Sequence, residues 1–403
     1  MTLDAGNDTP VTRAKKPVVQ APLWLLALIT LSGTLAMHIF VPALPLAGQD
    51  LQASTGAMQL TLSAYIIGLS IGQLTYGPIS DRFGRRPVLI VGIVIYVIAS
   101  LAALLAPTVQ ALIVTRFFQA LGGCAGLVLG RAIVRDSVSG SDAAKRLSLM
   151  NLMVMAGPGL SPLVGSLLAA VTGWRSIFAA LCVLGLVNLF LIWRLLPETT
   201  GGQGHDVGMV LRNYRRLVKS RGFLGYTLGG GCATTSIYAF IGAAPFIFVD
   251  QLHRPAHEVG IYLAINILGA WFGSLTVNRL IGGVSTGRLM VIGNLVSCIG
   301  AIAFLSFVLA GALGVMSTVI PMLLLSYGAG VAGPTALSEA LGINPAVAGS
   351  ASGLYGFTQM SIGAVCAALS GVGGNPALAV GIVLLSAGLL AQLSFWLAQT
   401  REI

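Results

Sequence analysis

Gly77-Pro78-Ile79-Ser80-Asp81-Arg82-Phe83-Gly84-Arg85-Arg86-Pro87 is the stretch whose reading decides the fold. It holds one acid and three arginines, whereas residues 57–76 before it and 88–106 after it carry no charge. Charge is costly in hydrocarbon, so the stretch is expected to be a tight loop at a membrane face, with its arginines marking that face as cytoplasmic. Gly77 and Gly84 are read as turning points, and Pro78 and Pro87 as the two helix ends. A positively charged topogenic loop accounts for the arginines. Asp81 goes beyond it, because an acid adds little to orientation and here stands four residues before Arg85.

The composition around this stretch agrees. Of 403 residues, 56% are hydrophobic and 8% are charged, with mean hydropathy +0.91. A soluble globular chain has about 25% charged residues, so the chain reads as an integral membrane protein. Its apolar runs are continuous rather than alternating, which selects helices over a barrel. Spans of about 20 residues are expected near 22–44, 57–76, 88–106, 109–130, 147–171, 176–196, 222–249, 258–278, 289–311, 313–336, 346–371 and 376–398. The architecture is therefore all-α, with a tail at 1–21, a six-helix half at 22–196, a polar linker at 197–221, a second half at 222–398 and a short tail at 399–403. The 22 basic residues orient it: with the N-terminus inside, all but Arg116, Arg175 and Arg254 fall at the cytoplasmic face, so both termini are expected there. A net charge of +10 spread over short loops points away from nucleic acid.

The opening stretch resembles the loop between the second and third helices of the major facilitator superfamily, G-x-x-x-D-R-x-G-R-R/K, with Gly77, Asp81, Arg82, Gly84, Arg85 and Arg86 as its anchors. The resemblance implies that Asp81 and Arg85 help to hold the inner face of a transporter closed. Asn278-Arg279 through Gly287-Arg288 is a degraded counterpart at the matching place in the second half. Leu35 to Pro45, Arg131-Ala132-Ile133-Val134-Arg135-Asp136 and Trp174-Arg175-Ser176-Ile177-Phe178 resemble the Bcr/CflA drug-resistance branch. Histidine stands at His38 where that branch has aspartate. Asp136 is placed to pair with Arg82 or Arg85, and Arg131 is counted with it in the gating loop.

The fourth span carries Arg116, Gln119 and glycines at Gly122, Gly126 and Gly130, a four-residue repeat that forms a smooth stripe. Arg116 through Ala120 resembles the family pattern R-x-x-Q-G, with Ala120 replacing the glycine. The fifth span answers with Gly157, Ser161 and Gly165, and Pro158 and Pro162 are expected to bend it; together they resemble a variant of the antiporter signature. Arg116 sits deep in its span, which costs about 2.5–3.5 kcal/mol on insertion scales. A wet cavity, a polar partner or snorkelling to the outer surface would each relieve that cost. His38 lies at similar depth. It is read as a proton carrier, a substrate contact or a packed polar residue, because no acid lies mid-span. The resemblance places spans one, four, seven and ten around the cavity, so Tyr238 and Tyr327 join His38, Arg116 and Gln119, with Thr234, Thr235, Ser236, Ser326 and Thr335 nearby.

The expectation is a monomeric, multi-pass exporter of small amphipathic compounds in a bacterial inner membrane, proton-coupled and not an enzyme, with no metal and no cofactor. A metabolite or amino-acid exporter, or an uncoupled facilitator, is the alternative. The five cysteines lie in spans without metal or disulfide spacing and read as packing residues. Gly283-Val284-Ser285-Thr286-Gly287 fits G-x-S-x-G, but in an interhelical loop. His253, His257 and Glu258 read as a solvated loop, with metal binding the weaker reading.

Overall fold

A computed structural model describes residues 21–137, 141–198, 207–281, 283–344 and 347–399. The expected tails, and part of the linker, lie largely outside them. The described chain is helical almost throughout, as a bilayer demands of backbone that has no water to bond. The first span is α1 (Leu23–Ile39) continued by a 3₁₀ turn and α2 (Leu44–Asp50); Pro42 and Pro45 explain the interruption. Then come α3 (Thr55–Phe83), α4 (Arg85–Leu104), α5 (Val109–Ser137), α6 (Ser141–Thr172) and α7 (Arg175–Leu195). The second half runs through α9 (Arg221–Thr235) with α10 (Ile237–Phe246), α11 (Ala256–Leu280), α12 (Thr286–Leu309), α13 (Val315–Gly342), α14 (Ala348–Leu369) and α15 (Pro376–Gln399). Ten spans among the described residues are long and apolar enough to cross a membrane. With α6 and α14, which pack beside them, they occupy the twelve expected places.

Two expectations are corrected. The motif is not an eleven-residue loop: α3 continues through Gly77 and Pro78 to Phe83, and α4 starts at Arg85. Only Gly84 breaks the helix, at φ 93°, a left-handed conformation that a side chain would strain. Gly77 is ordinary helix with open space beside it. Charge did force the chain out of hydrocarbon here, but a helix end protruding past the membrane satisfies that demand as well as a loop does. Pro78 inside α3 removes the N–H that Leu74 carbonyl would accept from. The Tyr214 hydroxyl donates to that carbonyl instead, at 3.2 Å.

Tyr214 belongs to the second correction. The polar linker contains a helix, α8 (Val207–Lys219). Its spacing puts Tyr214 and Leu217 on one side, toward Leu74, while Arg212, Arg215, Arg216 and Lys219 stay exposed. Counting charges across the linker hid this, because the signal is angular rather than compositional.

The halves meet along α3 and α14. The Ser70 hydroxyl donates to Phe357 carbonyl at 2.8 Å, Gln59 accepts from Ser370 at 3.3 Å, and the Gln73 side chain fills the space a Cβ on Gly356 would need. A second seam joins α6 and α11, where a Cβ on Gly260 would strike Pro162 carbonyl and the Ser166 hydroxyl.

Candidate functional site

Three arrangements have chemical potential, and the first joins the end of α3, the start of α4 and the end of α5. Arg85 opens α4. Its Nη1 lies 2.6 Å from Asp81 Oδ1 in the last turn of α3, and its Nε donates to Asp136 Oδ2 at 3.0 Å near the end of α5. The Arg85 side chain is only 12% exposed, so both pairs are screened less than surface pairs would be. Asp136 thus pairs with Arg85 rather than Arg82, whose guanidinium lies over the Phe83 ring. Arg86 donates to Trp193 carbonyl at 2.8 Å. Arg131 is exposed on α5 and forms none of the ion pairs found among the described residues.

A further member, Glu198, was not anticipated. Its carboxylate accepts from the backbone N–H of Arg85 at 3.0 Å and of Arg86 at 3.2 Å, capping α4 from beyond the end of α7. Helix N-termini leave such donors open and favour negative charge. Glu198 is 113 residues from Arg85, and no local pattern connects the two.

The second structure surrounds Arg116, which is fully buried. Its Nη1 donates to Ala36 carbonyl, in the last turn of α1, at 3.0 Å and to Gln119 Oε1 at 2.6 Å; Gln119 in turn donates to Ser100 at 2.9 Å. The Tyr65, Phe40 and Phe178 rings stand 4.1, 5.5 and 5.8 Å from the guanidinium carbon. Snorkelling is excluded by this burial. The cation rests on aromatic faces and on the negative end of a helix, each a source of stabilisation in a dry setting.

The third is a small gap between the halves. His38, Val41 and Pro162 line it from the first half, and Ile241, Leu263, Asn266 and Ile267 from the second. His38 Nδ1 lies 2.9 Å from Thr34 carbonyl. A carbonyl only accepts, so Nδ1 carries the proton and Nε2 of the neutral ring keeps its lone pair. The Tyr238 ring is 6.4 Å from the imidazole, across the seam.

The Major Facilitator Superfamily model matches residues 26–367. The chain belongs to this superfamily. Multidrug resistance protein D of Escherichia coli is 32% identical over 86% of this chain and 88% of that protein. A bicyclomycin resistance protein homologue of Haemophilus influenzae is 26% identical over 85% and 87%. These relatives place it with the Bcr/CflA branch. A crystal structure of a D-xylose–proton symporter shares the fold, with TM-score 0.71 at 16% identity over 92% of this chain and 96% of that one. The protein is accordingly a membrane transporter and not an enzyme.

The glycine stripes of this major facilitator protein are close-approach sites, but their partners differ from the expected ones. On α5, Gly122 faces Gly92 and Tyr96 of α4, whereas Gly126 and Gly130 face Ile29 and Thr30 of α1. On α6, Gly157 and Gly165 face Leu31 and Ile39 of α1. The two stripes do not meet, because α1 packs between α5 and α6. Ala120 occupies the space that Gly68 of α3 leaves open, so its extra methyl is matched by a missing one. Pro158 and Pro162 both lie within the continuous α6.

In the second half, Thr234 and Thr235 donate to Gly230 and Gly231 carbonyls of their own helix, at 2.6 and 2.8 Å. The Tyr327 and Thr276 hydroxyls are 3.0 Å apart, joining α13 to α11. Ser285 stands at the N-cap of α12. Among the described residues no group of acids, histidines and cysteines is arranged to hold a metal, and the five cysteines are unpaired. Arg254 instead pairs with Glu258 at 2.9 Å.

Proposed function

We propose that the protein exports small amphipathic compounds by alternating access across a bacterial inner membrane, with both termini cytoplasmic and proton antiport as its driving reaction. The observation that carries this reading is His38, seated in the seam between halves with Nε2 free. A proton taken at Nε2 makes the ring a donor at both nitrogens. Thr34 carbonyl already orients one of them, so protonation changes what the other offers to substrate or to Tyr238. The multidrug and bicyclomycin resistance relatives support drug-like substrates. Asp81, Arg85 and Asp136 act in the reading as a clasp that fixes the cytoplasmic ends of α3, α4 and α5 as one unit, which the second half closes against.

An uncoupled facilitator is the second reading, favoured because no carboxylate lines the gap. Efflux of a panel of amphipathic antibiotics and dyes, with and without an imposed proton gradient, separates the two. Gradient-driven export abolished by His38→Ala, at normal membrane abundance, is the expected result. Flux indifferent to the gradient would sink the coupled reading.

A further inference from the structure

The linker helix α8 lies at the depth where hydrocarbon ends. Its Tyr214 hydroxyl reaches Leu74, near the end of the charge-free run 57–76 of α3, and only Ser220 separates Lys219 at its end from Arg221 at the start of α9. Tyr214 and Leu217 cover its protein side. Going round the helix at about 100° per residue, Leu211 and Val218 come next, about 20° apart; they are 68% and 49% exposed. Arg215, Lys219, Arg212 and Arg216 follow through about another 100°, all of them exposed. These four are the only charged residues of α8, and none belongs to an ion pair found among the described residues.

A topogenic segment needs the cations alone, and a helix turned to water gains nothing from an exposed leucine and valine. An anionic phospholipid meets both features, with acyl chain for the apolar strip and phosphate for the cations. We infer that the outer side of α8 is a binding site for anionic phospholipid. Leu211 and Val218 rest on its acyl chains, and Arg212, Arg215, Arg216 and Lys219 hold its headgroup. Arginine suits this task because its fork of N–H donors matches two phosphate oxygens. A Cβ on Gly353 of α14 would lie 3.5 Å from the Tyr214 hydroxyl, so α8 sits where α3 and α14 of opposite halves meet. Lipid on its outer side therefore also steadies the linker across that junction. None of these residues lines the gap at His38, so the site does not depend on what the protein transports.

Native mass spectrometry of the full chain, titrated in micelles with dioleoylphosphatidylglycerol or dioleoylphosphatidylcholine, tests the site. The wild type is expected to take the anionic lipid about tenfold more tightly. Arg212→Gln, Arg215→Gln, Arg216→Gln and Lys219→Gln together should bring that ratio to about one; all four side chains are exposed, so the Tyr214 tie is left intact. Leu211→Ser with Val218→Ser should weaken both lipids about tenfold and keep the ratio. Arg279→Gln with Arg288→Gln, exposed cations on either side of the junction of α11 and α12, should leave it unchanged. A wild-type ratio near one overturns the proposal without need of any variant, as does a ratio that survives the fourfold change. A ratio that falls as far in the Arg279 and Arg288 variant also overturns it, since the attraction would then be diffuse. Glycerol 1-phosphate that displaces the anionic lipid at equal concentration would assign the cations to a free phosphate and remove the lipid site.

Discussion

The same junction is built differently in the two halves of the molecule. In the first half, α3 passes to α4 through the single residue Gly84, and Arg85 at the start of α4 reaches Asp136 near the end of α5 while also holding Asp81. In the second, α11 ends at Leu280 and α12 starts at Thr286, whose hydroxyl donates to Glu339 near the end of α13. Both ties join a helix start to the end of the next helix. One uses a guanidinium shared by two carboxylates, and the other a hydroxyl on one. The two junctions share the place of the contact and differ in its chemistry, an ion pair in one and a hydroxyl–carboxylate hydrogen bond in the other.

Removing the shared cation is the most damaging way to break this comparison. Arg85→Ala leaves Asp81 and Asp136 together without their counter-charge, and is expected to cost about 2 kcal/mol of stability and most of the export activity. Thermal unfolding in nanodiscs, beside vesicle efflux, would show it. Thr286→Val tests the other junction. It should cost about 1 kcal/mol and slow export only modestly; a loss equal to that of Arg85→Ala would mean that the halves are equally clasped. Glu198→Gln keeps the shape of the α4 cap but removes its charge, with an expected loss of about 0.5 kcal/mol, reduced further by salt because Glu198 is exposed.

The smallest expected effect sharpens the comparison through the linker. Tyr214→Phe frees Leu74 carbonyl and should destabilise by about 0.5 kcal/mol. Pro78→Ala restores the missing N–H of α3, so in that background Tyr214→Phe should cost nothing. An unchanged cost in the double variant would show that Tyr214 acts by packing alone.

Part of the ionic cluster was legible in the residues themselves: the motif singled out Asp81 and Arg85, and Arg85 was one of two partners expected for Asp136. Glu198 was not legible, since an acid beyond α7 says nothing about the open N–H groups of α4. Asn266 was missed as well: one asparagine on an apolar helix is unremarkable until Ser326 takes its oxygen and leaves its buried nitrogen without a partner. Arg116 was expected to face a wet cavity or a polar partner, because charge is costly in hydrocarbon, and Gln119 with the Ala36 carbonyl supplies the partner. Aromatic faces and a helix C-terminus meet part of that cost, and they come from α1, α3 and α7.

By itself the sequence determined the membrane class, the twelve spans and the clustering of charge at one face. Those properties depend on transfer energies summed along the chain, and neighbours in sequence suffice for the sum. The tertiary structure alone decided that the motif is helix up to Gly84, that Gly126, Gly130, Gly157 and Gly165 all pack against α1, and that His38 and Asn266 line one gap. Each of these depends on which distant groups meet a particular backbone or side-chain atom. Satisfying a hydrogen bond or admitting a close approach is a condition on position in space, which spacing along the chain does not specify.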